Sequence, residues 1–520
     1  MANTIINFDK ESREKLKQGI NAVADAVKIT IGPRGKNVAI DKGRPLITND
    51  GGTIANSIHF KDKIKNMGVQ LINNVINKTS EVAGGGRTAS AILTQELITR
   101  GLNYVDMGMD MNTFAEGMNQ AKDDIKAELT KIARPVIDQN ELEQLATIST
   151  ESKDLGKVIA ETIYKIGKDG IVTVEESQTF GITTEITDGL KFDNGYISQF
   201  MVTNQDRMEA EYKDVPIYVT DKKITMYKDI FPVIDKLAKA GKNSLVIVAD
   251  DFDGEALNRC ILLKIQGVFN ILAFKSPGFG DYKKLYLEDL AAVVGAKIVT
   301  DNTGLTLDDN ILGQAGQVIS TKEHTTIIKG NGDIKTHLTT LKTQRTLTEN
   351  KVEQNRLDER IAKLSNSVAI IKVGTSSDTK LNYLKQKVED GVNECKRALE
   401  DGVVVGGNCV FIQVNNKVMI GIEAYDLGYN LVVEATESPL RQIILNSNGK
   451  PDLVVKEIEE SIYDNSGYNA LTNQVVDNMF DYGIIDAVKV PITILENAVD
   501  EVSTFLTIGA VISEEIEETK

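Results

Sequence analysis

Between Ser244 and Thr300 the chain switches repeatedly between two hydrophobic periodicities, and this limits its fold more than any other feature. Ser244–Ala249 and Val268–Phe274 read as strands, the first a continuous apolar run of the buried kind. Gly254–Ile265 and Leu285–Val294 read as helices, and Lys297–Thr300 as a further short strand. Such alternation predicts a sheet covered by helices and excludes an all-α or all-β chain. The flanks are different. In Glu11–Lys28 the apolar residues Leu16, Ile20, Val23 and Val27 keep helical spacing, and so do Leu381, Leu384, Val388, Val392, Cys395 and Leu399. Two helical ends around an α/β middle predict a middle domain inserted into one built from both ends. The 520 residues suffice for about three domains at roughly 100–200 residues each.

Smaller elements fill this frame. Asn37–Ile40 and Pro45–Thr48 read as short strands before an Asn49-Asp50-Gly51-Gly52 turn, and the pattern is then helical to about Lys131. Leu155–Ile166 reads as a helix, and Ile171–Val174 and Thr183–Ile186 as strands. Thr325–Ile328 with Gly330-Asn331-Gly332 predicts a hairpin, Lys335–Leu364 a polar helix or helix pair, and Val368–Val373 a strand.

Charge and composition narrow the function. A net charge of −16 suits neither nucleic acid nor an anionic membrane as partner. Three cysteines, Cys260, Cys395 and Cys409, form no paired spacing, which fits a reducing compartment. His59, His324 and His337 show no ligand spacing with them, so a zinc-type site is not expected. No signal-like leader or membrane-length apolar run is present, and a cytoplasmic location is expected.

The stretch Val82–Thr94 carries the clearest chemical signal. Gly84, Gly85 and Gly86 run into Arg87, Thr88 and a helical pattern, the arrangement that offers bare amides and a helix N-terminus to phosphate. No carboxylate lies in the loop, and Arg87 stands there instead.

Six motifs in one order then resemble a single family: Thr30–Val38, Thr48–Gly51, Gly84–Gly86, Pro277–Asp281, Leu357–Leu364 with Val368–Gly374, and Val388–Asp390 with Gly402–Gly407. The chain is similar to group I (GroEL-type) chaperonins, as a divergent member. The resemblance implies a multidomain α and α/β fold. An α-helical equatorial domain (1–133 and 401–520) would bind ATP and form the ring. A small α+β intermediate domain (134–188 and 374–400) would act as hinge, with Gly189 and Gly374 at its junctions. An α/β apical domain (189–373) would bind substrate. By the same resemblance Thr30, Ile31, Gly32, Pro33, Gly84, Gly85, Gly86, Arg87, Thr88, Gly406, Gly407, Asn469, Ala470 and Asp486 contact nucleotide. Asp390 would activate the attacking water beside Asp50, and these two acids are the candidate Mg²⁺ ligands. Tyr196, Phe200, Met201, Phe231, Ile234, Leu257, Ile261 and Leu262 would present an apolar groove to unfolded polypeptide. The cofactors implied are ATP and Mg²⁺, with K⁺ as a further candidate. The implied assembly is a seven-membered homo-oligomeric ring that encloses unfolded chains, with a co-chaperonin lid as a candidate partner.

The departures from that family cluster in two places. Gly85 replaces its Mg²⁺-binding Asp, Arg87 and Ala89 replace threonines, and Asn49 replaces a Lys. The expectation is ATP binding with slow hydrolysis or an altered metal geometry, the alternative being a holding ring or a regulatory subunit of another chaperonin. At the ring–ring contact the family's Arg is matched by Arg441, but its Glu partner becomes Lys450. A second pair becomes Glu423 with Asn103, so a single ring or a labile double ring is expected. A metabolic α/β enzyme, the other class the central alternation admits, lacks a nucleophile constellation.

Overall fold

A computed structural model of the chain describes residues 4–167, 170–177, 181–205, 208–278, 281–300, 311–348, 350–365, 367–375, 378–414 and 423–514. Phe279 and Gly280 of the fourth motif lie outside them. The fold is multidomain α and α/β. The chain divides into two compact units, one of residues 1–168, 176–182 and 373–520, the other of 169–175 and 183–372.

The first unit is mainly helical. Asp9–Lys28 buries Leu16, Ile20, Val23 and Val27 and packs on Lys63–Ala83 and Arg87–Asp106. Aspartates set several helix starts: Asp62 accepts from the backbone N–H of Ile64 and Lys65, Asp110 caps Met111–Ile132 and Asp138 caps Gln139–Thr150. Lys489–Leu506 is apolar on most faces, as a central helix must be. It packs against Lys63–Ala83, Arg87–Asp106 and Met111–Ile132. Gln139–Thr150, Lys153–Ile166 and Asp378–Asp401 pack on one another. Val38–Lys42 and Arg44–Thr48 form a hairpin. Thr4–Phe8 pairs antiparallel with Ala510–Glu514, so both ends of the chain close one small sheet.

The second unit holds most of an eight-stranded sheet. Its order is Asn270–Lys275, Ser244–Ala249, Ala210–Val219, Gly313–Ser320, Thr325–Gly330, Gly181–Phe192, Ser367–Gly374 and Ile171–Glu176. The first three are parallel, with Gly254–Ile265 crossing over between Ser244–Ala249 and Asn270–Lys275. Asp289 joins three helices of this unit: Arg360 donates to its two oxygens at 2.8 and 2.6 Å, and His337 contacts Oδ1 at 2.7 Å. Among the described residues no helix is long and apolar enough to cross a membrane.

Two sequence expectations need correction. The hairpin turn lies at residues 321–324, where Thr321 N–H bonds His324 O at 2.8 Å. Gly330–Gly332 instead leads out of the sheet to Asp333, which caps the next helix. A Gly-Asn-Gly cluster marks a chain reversal, and strand-to-helix exits use the same residues. Lys297–Thr300 forms no strand. Val299 makes one bridge to Thr220, whose hydroxyl donates to Val299 O at 2.6 Å.

His324 offers a pH test of this unit. Burial pushes its imidazole down to about 4, below the roughly 6.5 of an unfolded chain. The unfolded state therefore takes the proton first. The neutral ring's contribution is complete above about pH 6.5 and is lost as the pH falls from there towards 4. Unfolding curves of His324→Gln, measured across pH, should show a shallower fall than wild type within that window.

Candidate functional site

The three glycines form the junction between two helices. Lys63–Ala83 ends at Gly84, which is left-handed at φ 80° and donates to Ser80 O at 2.8 Å. Gly86, at φ 84°, starts Arg87–Asp106. Both positions also exclude a side chain. A Cβ on Gly84 would lie 2.7 Å from Asn393 Cβ, and one on Gly86 would lie 2.8 Å from Ile494 Cγ1. Gly85 is under neither constraint. Its Cβ would first meet Glu394 Oε2 at 3.6 Å and Val490 Cγ2 at 3.8 Å, ordinary contact distances. No side chain caps the Arg87 helix, so its first-turn N–H groups point out of the helix end without intrahelical acceptors.

Arg87 then reaches across the turn. Its Nη1 donates to Asp390 Oδ2 at 2.7 Å and to Asp50 Oδ1 at 3.4 Å, while Nη2 donates to Asp390 Oδ1 at 3.2 Å. Asp50 is placed by its own cap, accepting from Thr53 N–H at 2.6 Å. Gly52 lies alongside the arginine, where a Cβ would sit 3.4 Å from Cδ and Nε of Arg87, at the edge of ordinary contact. The cluster is largely buried, with side-chain exposures of 19% for Arg87, 14% for Asp390 and 6% for Asp50. Burial opposes the charge on Arg87, yet Asp390 and Asp50 hold its pKa above the usual value. Burial also lifts the Asp390 carboxyl, and Arg87 pulls it back. Where the resemblance leads one to expect Mg²⁺ between Asp50 and Asp390, a guanidinium therefore bridges them.

The helix Asp378–Asp401 presents a polar row beside its apolar one. Tyr383, Lys387, Asp390 and Glu394 recur every three or four residues, the spacing of one helix face. Tyr383 donates to Asn49 Oδ1 at 3.1 Å, Asn49 donates to Glu151 Oε2 at 2.8 Å, and Lys387 pairs with Glu151 at 2.7 Å. Sequence reasoning missed Glu394, although its place one turn beyond Asp390 was readable. Burial, then the field of Asp486, pushes its carboxyl up to about 8, and the Ser149 side chain and Ala487 backbone hydrogen-bond to it.

The remaining nucleotide candidates converge through backbone contacts. Asp486 lies in Ile485–Ala487, paired with Val403–Val405, and accepts from the backbone N–H groups of Gly407 and Asn408. Burial raises its pKa to about 6. Gly406 N–H donates to Ile484 O at 2.9 Å. Thr30 is buried and donates to Val27 O at 2.8 Å. Asn446 donates to the carbonyls of Lys28 at 3.0 Å and Ile31 at 2.9 Å, fixing the turn through Gly32 and Pro33. Arg34 ties that turn to Leu471 O at 2.7 Å, next to Asn469 and Ala470. Ile31, Val405, Ala470 and Ile484 share one apolar cluster, which joins these loops from beneath.

The remaining candidates belong to other segments of the chain. Of the apolar residues in the second unit, Phe200, Phe231 and Leu262 are exposed, Leu257 and Ile261 half-buried, and Tyr196, Met201 and Ile234 buried. Gly189 is buried against Val368, and Gly374 ends its strand. Arg441 pairs within its own chain, with Glu437 at 2.8 Å and Asp452 at 2.6 Å. Lys450, Asn103 and Glu423 are exposed.

Comparison with known proteins fits this architecture. The fold is similar to that of the chaperonin gp146 from bacteriophage EL 2 (Pseudomonas aeruginosa), crystallised in the presence of ATP-BeFx. The TM-score is 0.66 at 20% identity, covering 98% of this chain and 100% of that one. The sequence pattern of the TCP-1/cpn60 chaperonin family matches residues 23–515, and the chain belongs to that family.

The geometry of the turn makes two predictions. Gly84→Ala and Gly86→Ala should each cost about 1–3 kcal/mol, while Gly85→Ala stays within about 0.5 kcal/mol, read from denaturant midpoints. Arg87→Met leaves two buried carboxylates facing each other without a cation. It should cost about 3–5 kcal/mol, and millimolar Mg²⁺ should return part of that loss in thermal unfolding.

Proposed function

We propose that this chaperonin binds ATP at the Gly84–Thr88 turn and uses it to capture, enclose and fold unfolded polypeptide within a homo-oligomeric ring. The observation that carries the reading is the meeting of the phosphate-type turn with Asp50 and Asp390, drawn from three distant segments. The crystallisation of gp146 with ATP-BeFx supports it. In this reading the phosphates rest on the first-turn N–H groups of the Arg87 helix and the backbone of Thr30–Pro33. Gly406, Gly407, Asn469, Ala470 and Asp486 hold base and ribose. The ranges 1–133 with 401–520, 134–188 with 374–400, and 189–373 act as equatorial, intermediate and apical domains, hinged at Gly189 and Gly374. Phe200, Phe231 and Leu262 offer unfolded chains an exposed apolar face. A seven-membered cytoplasmic ring completes the proposal. With Arg441 satisfied by its own chain and Lys450 in the position of its acidic partner, a single ring is the assembly favoured.

The donors suit Mg²⁺, which is held by one or two carboxylates together with phosphate oxygens and water. Among the described residues no three such side chains gather at one point, so most of its ligands would come from the nucleotide. Asp50 and Asp390 are the residues that would hold it, and the ion would neutralise charge on the phosphates. Asp390 orients the attacking water and takes its proton. To do so it must first leave Arg87, whose two hydrogen bonds hold it bidentately, and hydrolysis is therefore slow. The same clamp favours one second reading, an ATP-binding ring that holds chains without turnover.

Steady-state ATPase and refolding assays test both. Asp390→Asn should lower turnover by about 100-fold or more. Arg87→Lys keeps the charge but gives up the fork, and should raise turnover several-fold. Equal turnover in wild type and Asp390→Asn would remove Asp390 from the chemistry. Protection of an unfolded client without ATP turnover would establish the holding ring.

A further inference from the structure

We propose that Glu394 supplies, from the helix Asp378–Asp401, the metal-facing carboxylate that the Gly85 loop lacks. The inference rests on the nucleotide reading of this site. Gly85 separates two glycines whose backbones and surroundings require glycine, but nothing in its own setting does. A side chain could enter the site from this point of the loop. The atom that first bounds this space is a carboxylate oxygen of another segment, Glu394 Oε2, 3.6 Å from the Cβ position. The acid is thus present at the loop, delivered from the helix Asp378–Asp401.

The approach is fixed. Glu394 lies four residues beyond Asp390, so both acids leave the helix on one face. It is 5% exposed, and the Ser149 side chain and Ala487 N–H hold it in place. A carboxylate offers about four acceptor positions, so two donors leave room for a cation. Arg87 is committed to Asp50 and Asp390, and Lys387 to Glu151. Burial and the neighbouring Asp486 hold the Glu394 carboxyl well above the usual range, and a divalent ion would take the place of its proton. A divalent ion brought in by the nucleotide and held by Asp50 and Asp390 would then meet a further protein carboxylate at the Glu394 side of the loop.

Glu394 has a bland role open to it, as a strut between Ser149 and Ala487, and Glu394→Gln separates the two because it keeps hydrogen-bonding capacity without charge. Mn²⁺ is the probe, its free signal monitored by electron paramagnetic resonance in the presence of ADP on the full chain. Glu394→Gln should weaken Mn²⁺ binding at least tenfold at an unchanged melting temperature. Adding Gly85→Asp to that variant should bring the affinity back to within threefold of wild type. Mn²⁺ affinity unchanged in Glu394→Gln overturns the proposal, and so does a loss that Gly85→Asp fails to restore. If the wild type binds no ADP, with or without metal, the nucleotide reading itself falls and this proposal with it.

Discussion

The contact of Arg87 with Asp50 and Asp390 is the constraint around which the rest of the first unit is organised. Two carboxylates from segments far apart in sequence are brought out of water to within reach of one guanidinium. Desolvating such a trio is costly unless the geometry is close to ideal, and bidentate pairing of the fork with Asp390 supplies that geometry. The surrounding sequence serves the arrangement. Asp50 is pinned by its own helix cap, and the helix carrying Asp390 is tied back through Lys387 and Tyr383. A chain with the chaperonin fold thereby carries its own fixed cation at the place where nucleotide chemistry is expected.

Much of the frame is legible in periodicity. The helix Gly254–Ile265 and the strand Ser244–Ala249 occupy the residues that their patterns mark, because long apolar runs and clean helical spacing leave few alternatives. Punctuation is less legible. Gly330-Asn331-Gly332 reads as the hairpin reversal but sits at a strand exit, since turn residues declare a bend and not the element beyond it. Lys297–Thr300 has strand character in its residues, but among the described residues it makes a single bridge, Val299 with Thr220. At the candidate site, spacing places Asp390 on the polar face of its helix, and the motif order groups the loops. Neither can show that Arg87 bridges the two acids, because a contact across hundreds of residues leaves no local pattern. Glu394 lies within reach of the same spacing argument as Asp390, yet nothing in the sequence sets it apart from the other charged residues of a polar helix face.

The pairing of Thr4–Phe8 with Ala510–Glu514 has a consequence for the order of events on the ribosome. The second unit lies within one stretch of chain and emerges complete while the first still lacks its last helices. At roughly 5–20 residues per second, the opening strand waits on the order of 25–100 s for its partner. Throughout that interval the apolar faces of Lys63–Ala83, Arg87–Asp106 and Met111–Ile132 lack the cover that Lys489–Leu506 later provides. A member of the chaperonin family thus spends much of its own synthesis half-built, with helices made early among the last to be covered.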